Sequence, residues 1–393
     1  MYNVNDYINI RLITLCYIII DLSDFSAKLP THSNYYHPNK TKDKRLTVTI
    51  KDVAERSKVS TATVSRALRG LPNVTPSTRD HVLKIAKEMG YSIDPIASQL
   101  RSGKSMNIGI VMPLSDSWFF SKFSTAAEAI LVNANFYTVR YSMTSLDSQT
   151  SFFERLASRR NIDGLIIISL TLSEEDINIL LNLNIPVITV ETRTDTFPSI
   201  SIDNLQAAKL ATQYLLNLGH KHIGLITGLE DDPLEFSVPQ KRMQGYQSAL
   251  KEYHIDFRPE LIVVGNYTLA GGAEAMINLL SIPYPPTAVI ALADEMAIGA
   301  IKTLREMNLR IPEDVSVLGF DDNDIAEFVG LSTIRQPVMA FGEKAATMLL
   351  ERLEKKNQGA LRHIRMDTRL IIRGTTGPKL LTPLDASSRY SEQ

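Results

Sequence analysis

The sequence has 393 residues, 44% of them hydrophobic, and 42 Lys and Arg against 43 Asp and Glu, so it has room for more than one folded domain. Its lone cysteine, Cys16, argues against disulfides, zinc fingers and thiol catalysis, and fits a reducing cytoplasm. The seven histidines show no metal-ligand spacing, and there is no P-loop, H-E-x-x-H or strand-bound G-x-G-x-x-G. We therefore predict neither an enzyme nor a bound metal or cofactor.

The first 46 residues contain one apolar stretch, YINIRLITLCYIII. Arg11 interrupts it and Asp6 and Asp21 flank it, so it is short for a membrane span and lacks the cleavage pattern of a signal peptide. We interpret residues 1–46 as a non-native or disordered extension, with translation starting at Leu46 through a non-ATG codon. No membrane association is expected.

Residues 49–68, TIKDVAERSKVSTATVSRAL, have the spacing of two short helices joined by a tight turn. Val53 lies on the apolar face of the first helix and Val64 on the apolar face of the second, so the two helices can pack together. Ser60 is a good N-cap for the second helix. A helix presented this way fits the major groove of DNA, with hydroxyl groups on phosphates and an Arg on guanine. The alternative is a capped helix pair inside a core. The outward-facing candidates are Ser60, Thr61, Ala62, Thr63, Ser65, Arg66 and Arg69.

Positive charge is concentrated around this segment. Residues 44–105 contain twelve Lys and Arg against five Asp and Glu, whereas the whole chain has a net charge of −1. A basic run alone usually marks only a solvated face. Because this one coincides with a helix-turn-helix pattern, it favours nucleic-acid binding.

The segment resembles the headpiece of the LacI (lactose repressor) family of bacterial transcription regulators. The resemblance implies a headpiece over residues 47–92, with a third helix over residues 75–89. It also implies a hinge over residues 93–106, which contains the sequence DPIASQLRSGKS. Such a hinge orders when two copies meet on DNA, and Leu100 takes the place of the residue that wedges into the minor groove. The hinge departs from the family pattern, with Asp94 before a shifted Pro95. The resemblance adds three candidate DNA contacts: Thr49, Ala97 and Leu100.

From residue 107 onward, short apolar runs alternate with amphipathic helices. The runs are NIGIVM, FYTVRY, DGLIIIS, IPVITV, HIGLIT, LIVVG, TAVIAL and DVSVLGF. This alternation predicts buried parallel strands in a doubly wound α/β body, and the number of strands predicts two similar lobes with a ligand in the cleft between them. The body, residues 107–374, resembles the periplasmic-binding-protein-like core of the same family. Residues 375–393 have no apolar period and are predicted to be disordered.

Polar and aromatic residues that follow these strands are candidates for effector binding. Carboxylates and an Arg can pair with sugar hydroxyls, and an aromatic ring can stack on a sugar face. By resemblance, Arg242 and Asp321 are the main effector contacts. The full set of candidates is Trp118, Phe119, Phe120, Glu191, Arg193, Arg242, Asp294 and Asp321.

Each of these residues also has a structural interpretation. Asp203, Asp294 and Asp322 more often cap helices or brace the region between lobes, and Arg242 could form a surface ion pair. The sequence also departs from the family at Trp118, where Pro is common, and at Ala293, where Asn is frequent.

The favoured function is a cytoplasmic transcription regulator, a repressor, binding a palindromic double-stranded operator as a homodimer or tetramer under control of a sugar or sugar derivative. One alternative is a periplasmic sugar receptor, which would share the body but would have no use for the headpiece. Another is a regulator that responds to a purine or to a protein corepressor.

Overall fold

The computed structural model describes residues 48–91, 104–158, 161–228, 234, 236–354 and 361–379. They form two compact units, one within residues 48–91 and one within residues 104–379. The extension over residues 1–46, residues 93–103 of the predicted hinge, which include Ala97 and Leu100, and the tail beyond residue 379 lie outside the described residues. No helix within the described ranges is long and apolar enough to cross a bilayer.

The first unit is a bundle of helices α1 (Ile50–Ser57), α2 (Thr61–Leu68) and α3 (Pro76–Glu88). Ser60 caps α2, because its hydroxyl accepts a hydrogen bond from the Thr63 amide at 3.1 Å. The helices share a small core that includes Val53, Val64 and Val82, each without exposed surface. The helix pair and the third helix predicted from the sequence are thus confirmed.

The second unit, the body, contains the remaining elements. Its first part consists of β1 (Asn107–Pro113), α4 (Trp118–Asn133), β2 (Tyr137–Met143), α5 (Leu146–Ser158), β3 (Gly164–Ile168), α6 (Glu174–Leu183), β4 (Val187–Val190) and β5 (Ser199–Ser201). Its second part consists of α7 (Asn204–Asn217), β6 (Ile223–Thr227), α8 (Val238–Glu252), β7 (Ile262–Val264), α9 (Leu269–Leu280), β8 (Ala288–Ala291), α10 (Asp294–Glu306), β9 (Ser316–Asp321) and β10 (Ser332–Arg335). The last elements are α11 (Val338–Glu354), β11 (His363–Arg365) and β12 (Arg369–Ile371).

These strands form two six-stranded sheets, and each sheet is the centre of one lobe. The N-terminal lobe has the order β2-β1-β3-β4-β5-β11 and the C-terminal lobe has the order β7-β6-β8-β9-β10-β12. All neighbours are parallel except β10 and β12. The predicted two-lobed α/β body with parallel sheets is confirmed. The short strands β5, β10, β11 and β12 lie outside the eight apolar runs that predicted it.

The chain passes between the lobes three times, after β5, after β10 and after β11. After the first crossover α7 packs on α8 of the C-terminal lobe, and after the second α11 packs on α4 of the N-terminal lobe. The α11–α4 contact requires Gly342, since a Cβ atom there would lie 2.4 Å from the carbonyl oxygen of Phe123. The crossovers therefore join two lobes that are each built on their own sheet.

The prediction of disorder from residue 375 onward is wrong for residues 375–379. The Thr375 hydroxyl donates to the Val317 carbonyl at 2.7 Å and accepts from the Ser332 amide at 2.8 Å. The Gly377 carbonyl accepts from the His220 ring, with Nε2 at 3.0 Å. Backbone and hydroxyl hydrogen bonds to the C-terminal lobe hold this segment. The prediction of disorder relied on hydrophobic periodicity, which does not detect such hydrogen bonds.

Candidate functional site

A cavity of about 210 Å³ lies between the two lobes of the body. Both lobes line it with residues that follow the carboxyl ends of their strands, which is where doubly wound sheets bind ligands. The lining residues are Pro113, Leu114, Ser115, Ser117, Phe119, Phe120, Ser169, Glu191, Phe236, Val238, Arg242, Asn266, Tyr267, Leu292, Ala293, Asp321 and Gln336.

Arg242, on α8, is the buried cation of this cavity. Its Nε donates to Asn204 Oδ1 at 2.9 Å, and one terminal nitrogen donates to the Leu292 carbonyl at 2.8 Å. The guanidinium lies 3.6 Å from the centroid of the Phe320 ring. Burial lowers the pKa of Arg242, whereas the Asp321 and other nearby negative charges oppose that shift. The group is held rigidly as a donor fork facing the cavity.

Asp321 provides a carboxylate at the end of β9. Its φ of +121° is a conformation that few L-residues adopt, and Gln336 Nε2 donates to its Oδ1 at 2.5 Å. Burial, followed by the repulsion of Asp294 and Glu295, raises the pKa of Asp321 well above its ordinary value, while Arg242 lowers it. A hydroxyl-bearing ligand would meet both a donor and an acceptor here.

Glu191 lines the cavity from the N-terminal lobe, but its carboxylate is already hydrogen-bonded to residues of the first crossover segment. Its carboxylate accepts from the Ile202 amide at 2.9 Å and from Asn204 Nδ2 at 2.5 Å. Burial raises the pKa of Glu191, and these hydrogen bonds and Arg242 oppose the shift. Because Asn204 also accepts from Arg242, the three side chains form one hydrogen-bonded chain between the lobes.

Two further polar atoms in the cavity wall were missed by the sequence analysis. Ser169 Oγ, directly after β3, and Gln336 Oε1, on the second crossover, are buried without a hydrogen-bond partner among the described residues. Buried polar atoms are rarely left unpaired, so these two positions favour a polar ligand. Ser169 ends the apolar run DGLIIIS, a position that could have marked it. Gln336 follows a short strand that the sequence did not reveal.

Three predicted effector contacts lie outside the cavity lining, in contrast to Phe119, Phe120, Glu191, Arg242 and Asp321, which line it. Arg193 is exposed, because the chain turns outward after Glu191. Trp118 is half-buried, and its indole donates to Asp324 Oδ2 at 3.2 Å. Asp294 is buried behind the wall, where it accepts from the Thr333 hydroxyl and from the Asn323 amide, both at 2.7 Å.

The alternative structural interpretations describe three aspartates well. Asp294 fixes the loop after β9, as just described. Asp203 caps α7 by accepting from the Gln206 amide at 3.1 Å, and it forms an ion pair with Arg365 at 2.8 Å. Asp322 forms an ion pair with Arg335 at 2.5 Å and with Arg373 at 2.7 Å. Arg242, in contrast, is buried rather than part of a surface ion pair.

The headpiece presents most of its predicted DNA contacts on one helix and its cap. Ser60, Thr61, Ala62, Arg66 and Arg69 are exposed, while Thr63 and Ser65 are half-buried. Thr49 is also exposed, but its hydroxyl donates to Asp52 Oδ2 at 2.8 Å, which completes the start of α1. An exposed α2 with hydroxyls at its start and Arg66 in its last turn matches the predicted reading helix.

Comparison with known proteins agrees with this architecture. Residues 49–94 match the model of bacterial regulatory proteins of the lacI family, and residues 212–376 match the periplasmic binding protein-like domain. The chain is 36% identical over 342 residues to the HTH-type transcriptional repressor CytR of Escherichia coli (strain K12), covering 86% of this chain and 98% of that protein. The chain belongs to the LacI family.

Solved structures of LacI-family proteins have the same fold. The Lac repressor dimer bound to operator and the anti-inducer ONPF gives a TM-score of 0.74 at 26% identity, covering 84% of this chain and 99% of that one. A LacI-family regulator from Enterococcus faecium with bound ribose gives 0.62 at 29% identity, covering 70% of this chain and 100% of that one. The chain is thus an effector-controlled DNA-binding regulator.

Proposed function

We propose that this LacI-family protein is a cytoplasmic repressor whose affinity for a palindromic operator is controlled by a carbohydrate, or a carbohydrate derivative, bound between the lobes of a homodimer. The observation that carries the ligand class is the pairing of buried Arg242 and Asp321 in one cavity. A guanidinium fork and a carboxylate suit the vicinal hydroxyls of a sugar, which both donate and accept.

Two other features of the cavity support a carbohydrate. Ser169 Oγ and Gln336 Oε1 lack partners and suit further ring hydroxyls. Phe119 and Phe120 line the same space and are in edge-to-face contact, with ring centroids 5.3 Å apart. Their apolar faces suit the C–H face of a sugar ring. The relative from Enterococcus faecium, with bound ribose, is a precedent within the family.

Control of DNA binding follows from where the cavity lies. Gln336 is on the second crossover, and Glu191 and Arg242 both hydrogen-bond Asn204 at the first. A ligand that contacts these groups binds differently to different arrangements of the lobes. It can therefore shift operator affinity by as much as its own affinity differs between those arrangements.

A thermal-shift screen against pentoses, hexoses, disaccharides and nucleosides tests the ligand class. A specific ligand raises the unfolding temperature by mass action, and Arg242→Ala should reduce that rise strongly at the same ligand concentration. Arg193→Ala is the matched control, because Arg193 is exposed and outside the cavity lining. Stabilisation by nucleosides alone, or by no sugar at all, would contradict the carbohydrate assignment.

The proposal that the headpiece reads a specific operator is tested on a duplex that the wild-type protein selects from a random library. Arg66→Ala should weaken binding by roughly 1–3 kcal/mol and flatten discrimination at one base position. The control is Arg56→Ala, which removes an exposed arginine from α1 rather than α2. An equal loss on all sequences would make Arg66 a phosphate contact instead of a base-reading residue.

A further inference from the structure

Four side chains and one backbone amide connect the lobes beside the cavity. Trp118 and Lys122 lie on the first turns of α4 in the N-terminal lobe. Glu295, on α10, and Asp324, after β9, belong to the C-terminal lobe. The Trp118 amide donates to Glu295 Oε1 at 3.0 Å and the indole Nε1 donates to Asp324 Oδ2 at 3.2 Å. Lys122 Nζ forms an ion pair with the same Asp324 oxygen at 2.8 Å.

These contacts are separate from the cavity, although they share elements with it. None of the four residues is among those that line the cavity. Their neighbours are, because Ser117 and Phe119 flank Trp118, and Ala293 precedes the start of α10. The helix ends that shape the cavity thus also connect the lobes by direct contacts between protein groups.

We propose that Trp118, Lys122, Glu295 and Asp324 form a clasp that holds the lobes together in the ligand-free protein, so that lobe closure precedes effector binding. The carboxylate of Asp324 is the centre of the clasp, since it binds both the indole and the ammonium group. Lys122 lies 5.8 Å from the centroid of the Trp118 ring, which keeps the charge beside the indole.

The clasp is weak enough for a ligand to shift the equilibrium between open and closed lobes. The side chains of Lys122 and Asp324 are 29% and 65% exposed, so solvent screens their attraction. Exposed ion pairs of this kind change an equilibrium by only a few-fold. The clasp therefore biases the lobes toward closure without locking them. An effector that needs closed lobes binds more weakly when fewer molecules are closed.

Trp118 is the only tryptophan in the sequence, so its fluorescence reports on the clasp without any ligand. Asp324→Ala removes both side-chain contacts, and we expect a red-shifted emission and greater quenching by acrylamide. Asp314→Ala is the matched control, because it breaks the Arg310–Asp314 ion pair, at 2.6 Å, within the same lobe. The control should leave the emission unchanged.

Spin labels distinguish lobe opening from a local change at the indole. With Cys16 replaced by Ser, cysteines in place of the exposed residues Glu154 and Arg305 put one label on each lobe. Double electron–electron resonance on ligand-free protein, with labelled chains diluted in unlabelled ones, should show Asp324→Ala lowering the closed-to-open ratio roughly two- to fivefold.

The charge swap Lys122→Asp with Asp324→Lys should restore the part of the closed population that depends on the ion pair, whereas each single change should lower it. The swap does not restore the indole hydrogen bond, because an ammonium group cannot accept it. An inter-lobe distance distribution that is the same in wild type and Asp324→Ala would overturn the clasp, even if the fluorescence changes. Because no ligand or operator enters these measurements, their failure leaves the carbohydrate assignment untouched.

Discussion

The two lobes of the body share a strand order but differ in the chemistry that they bring to the cavity. The N-terminal lobe supplies rings and hydroxyls, such as Phe119, Phe120 and Ser169, and its one charged lining residue, Glu191, is already hydrogen-bonded to the first crossover. The C-terminal lobe also supplies two rings, Phe236 and Tyr267, but it differs in bringing two charged lining residues, Arg242 and Asp321. The repeated topology thus fixes where the site is, while the residues after each strand decide what it binds.

The difference extends behind the cavity wall. Asp294 and Glu295, at the start of α10, add two more carboxylates within electrostatic range of Asp321. Asp294 is fully buried and closely packed, since a Cβ atom on Gly319 would lie 2.2 Å from its Oδ1. The C-terminal lobe therefore carries most of the buried charge, and the following predictions test that asymmetry.

The largest expected effect is on stability against pH. Burial raises the pKa of Asp294 to about 7, from an ordinary value of 3.8. Between these values the folded protein binds more protons than the unfolded chain, so the free energy of unfolding falls as pH rises and the stabilisation is lost above about pH 7. Each raised unit is worth about 1.4 kcal/mol, which makes the loss several kcal/mol. Urea unfolding at about pH 5 and about pH 8 measures the part of this loss that falls above pH 5, about two pH units.

Asp294→Asn should reduce this pH dependence, because it removes one of the buried titrating groups, while the raised pKa values of Asp321 and Glu191 leave a remainder. Asp314→Asn is the control in the same lobe, since hydrogen bonds from Arg310 lower the pKa of Asp314 to about 2, outside that pH range. A pH slope in Asp294→Asn equal to that of the wild type would mean that the buried charge of this lobe lies elsewhere.

The next effect is on effector affinity. Arg242→Ala and Asp321→Ala should each weaken binding by about 2 kcal/mol or more, because hydrogen bonds to charged groups are lost and their partners are left unpaired. Specific DNA binding should remain nearly intact in both variants. Isothermal titration with the ligand found in the screen gives the affinities. Normal effector binding with lost operator binding would assign these residues to the fold or the dimer instead.

The smallest effect is expected for the N-terminal lobe. Phe119→Ala should weaken effector binding by about 1 kcal/mol, since it removes apolar contact but leaves no charge unpaired. Phe119 also contacts Phe341, with ring centroids 6.4 Å apart, so the substitution can affect folding as well. The unfolding midpoint of the Phe119→Ala variant is therefore measured in parallel. A loss larger than that of Asp321→Ala would reverse the proposed asymmetry between the lobes.

The sequence predicted the fold well because the strands of both lobes are continuous apolar runs. Strands β5, β10, β11 and β12 lie outside those runs, since each has only one or two apolar residues beside polar ones. The start of the tail was also mispredicted, because Thr375 and Gly377 are held by hydrogen bonds.

The site was predicted in part. Arg242 and Asp321 follow from the family resemblance together with their place in the chain. Arg193 is exposed rather than in the cavity lining. Its position depends on the local backbone conformation, including the φ of +59° at Glu191, which the sequence does not reveal. Trp118, Phe119 and Phe120 were predicted to bind effector because they are aromatic residues that follow β1. Only Phe119 and Phe120 line the cavity, since adjacent residues on a helix point in different directions.

The central claim is that a ligand bound by Arg242 and Asp321 controls operator binding. The most direct test measures operator affinity with and without the ligand identified by thermal shift, in wild type and in Arg242→Ala, on the duplex selected by the wild-type protein. At a ligand concentration a few times the wild-type Kd, we expect the ligand to change wild-type affinity several-fold, within the roughly 5- to 150-fold range typical of allosteric coupling, and to leave Arg242→Ala close to its ligand-free affinity. A ligand response of equal size in Arg242→Ala would contradict the account.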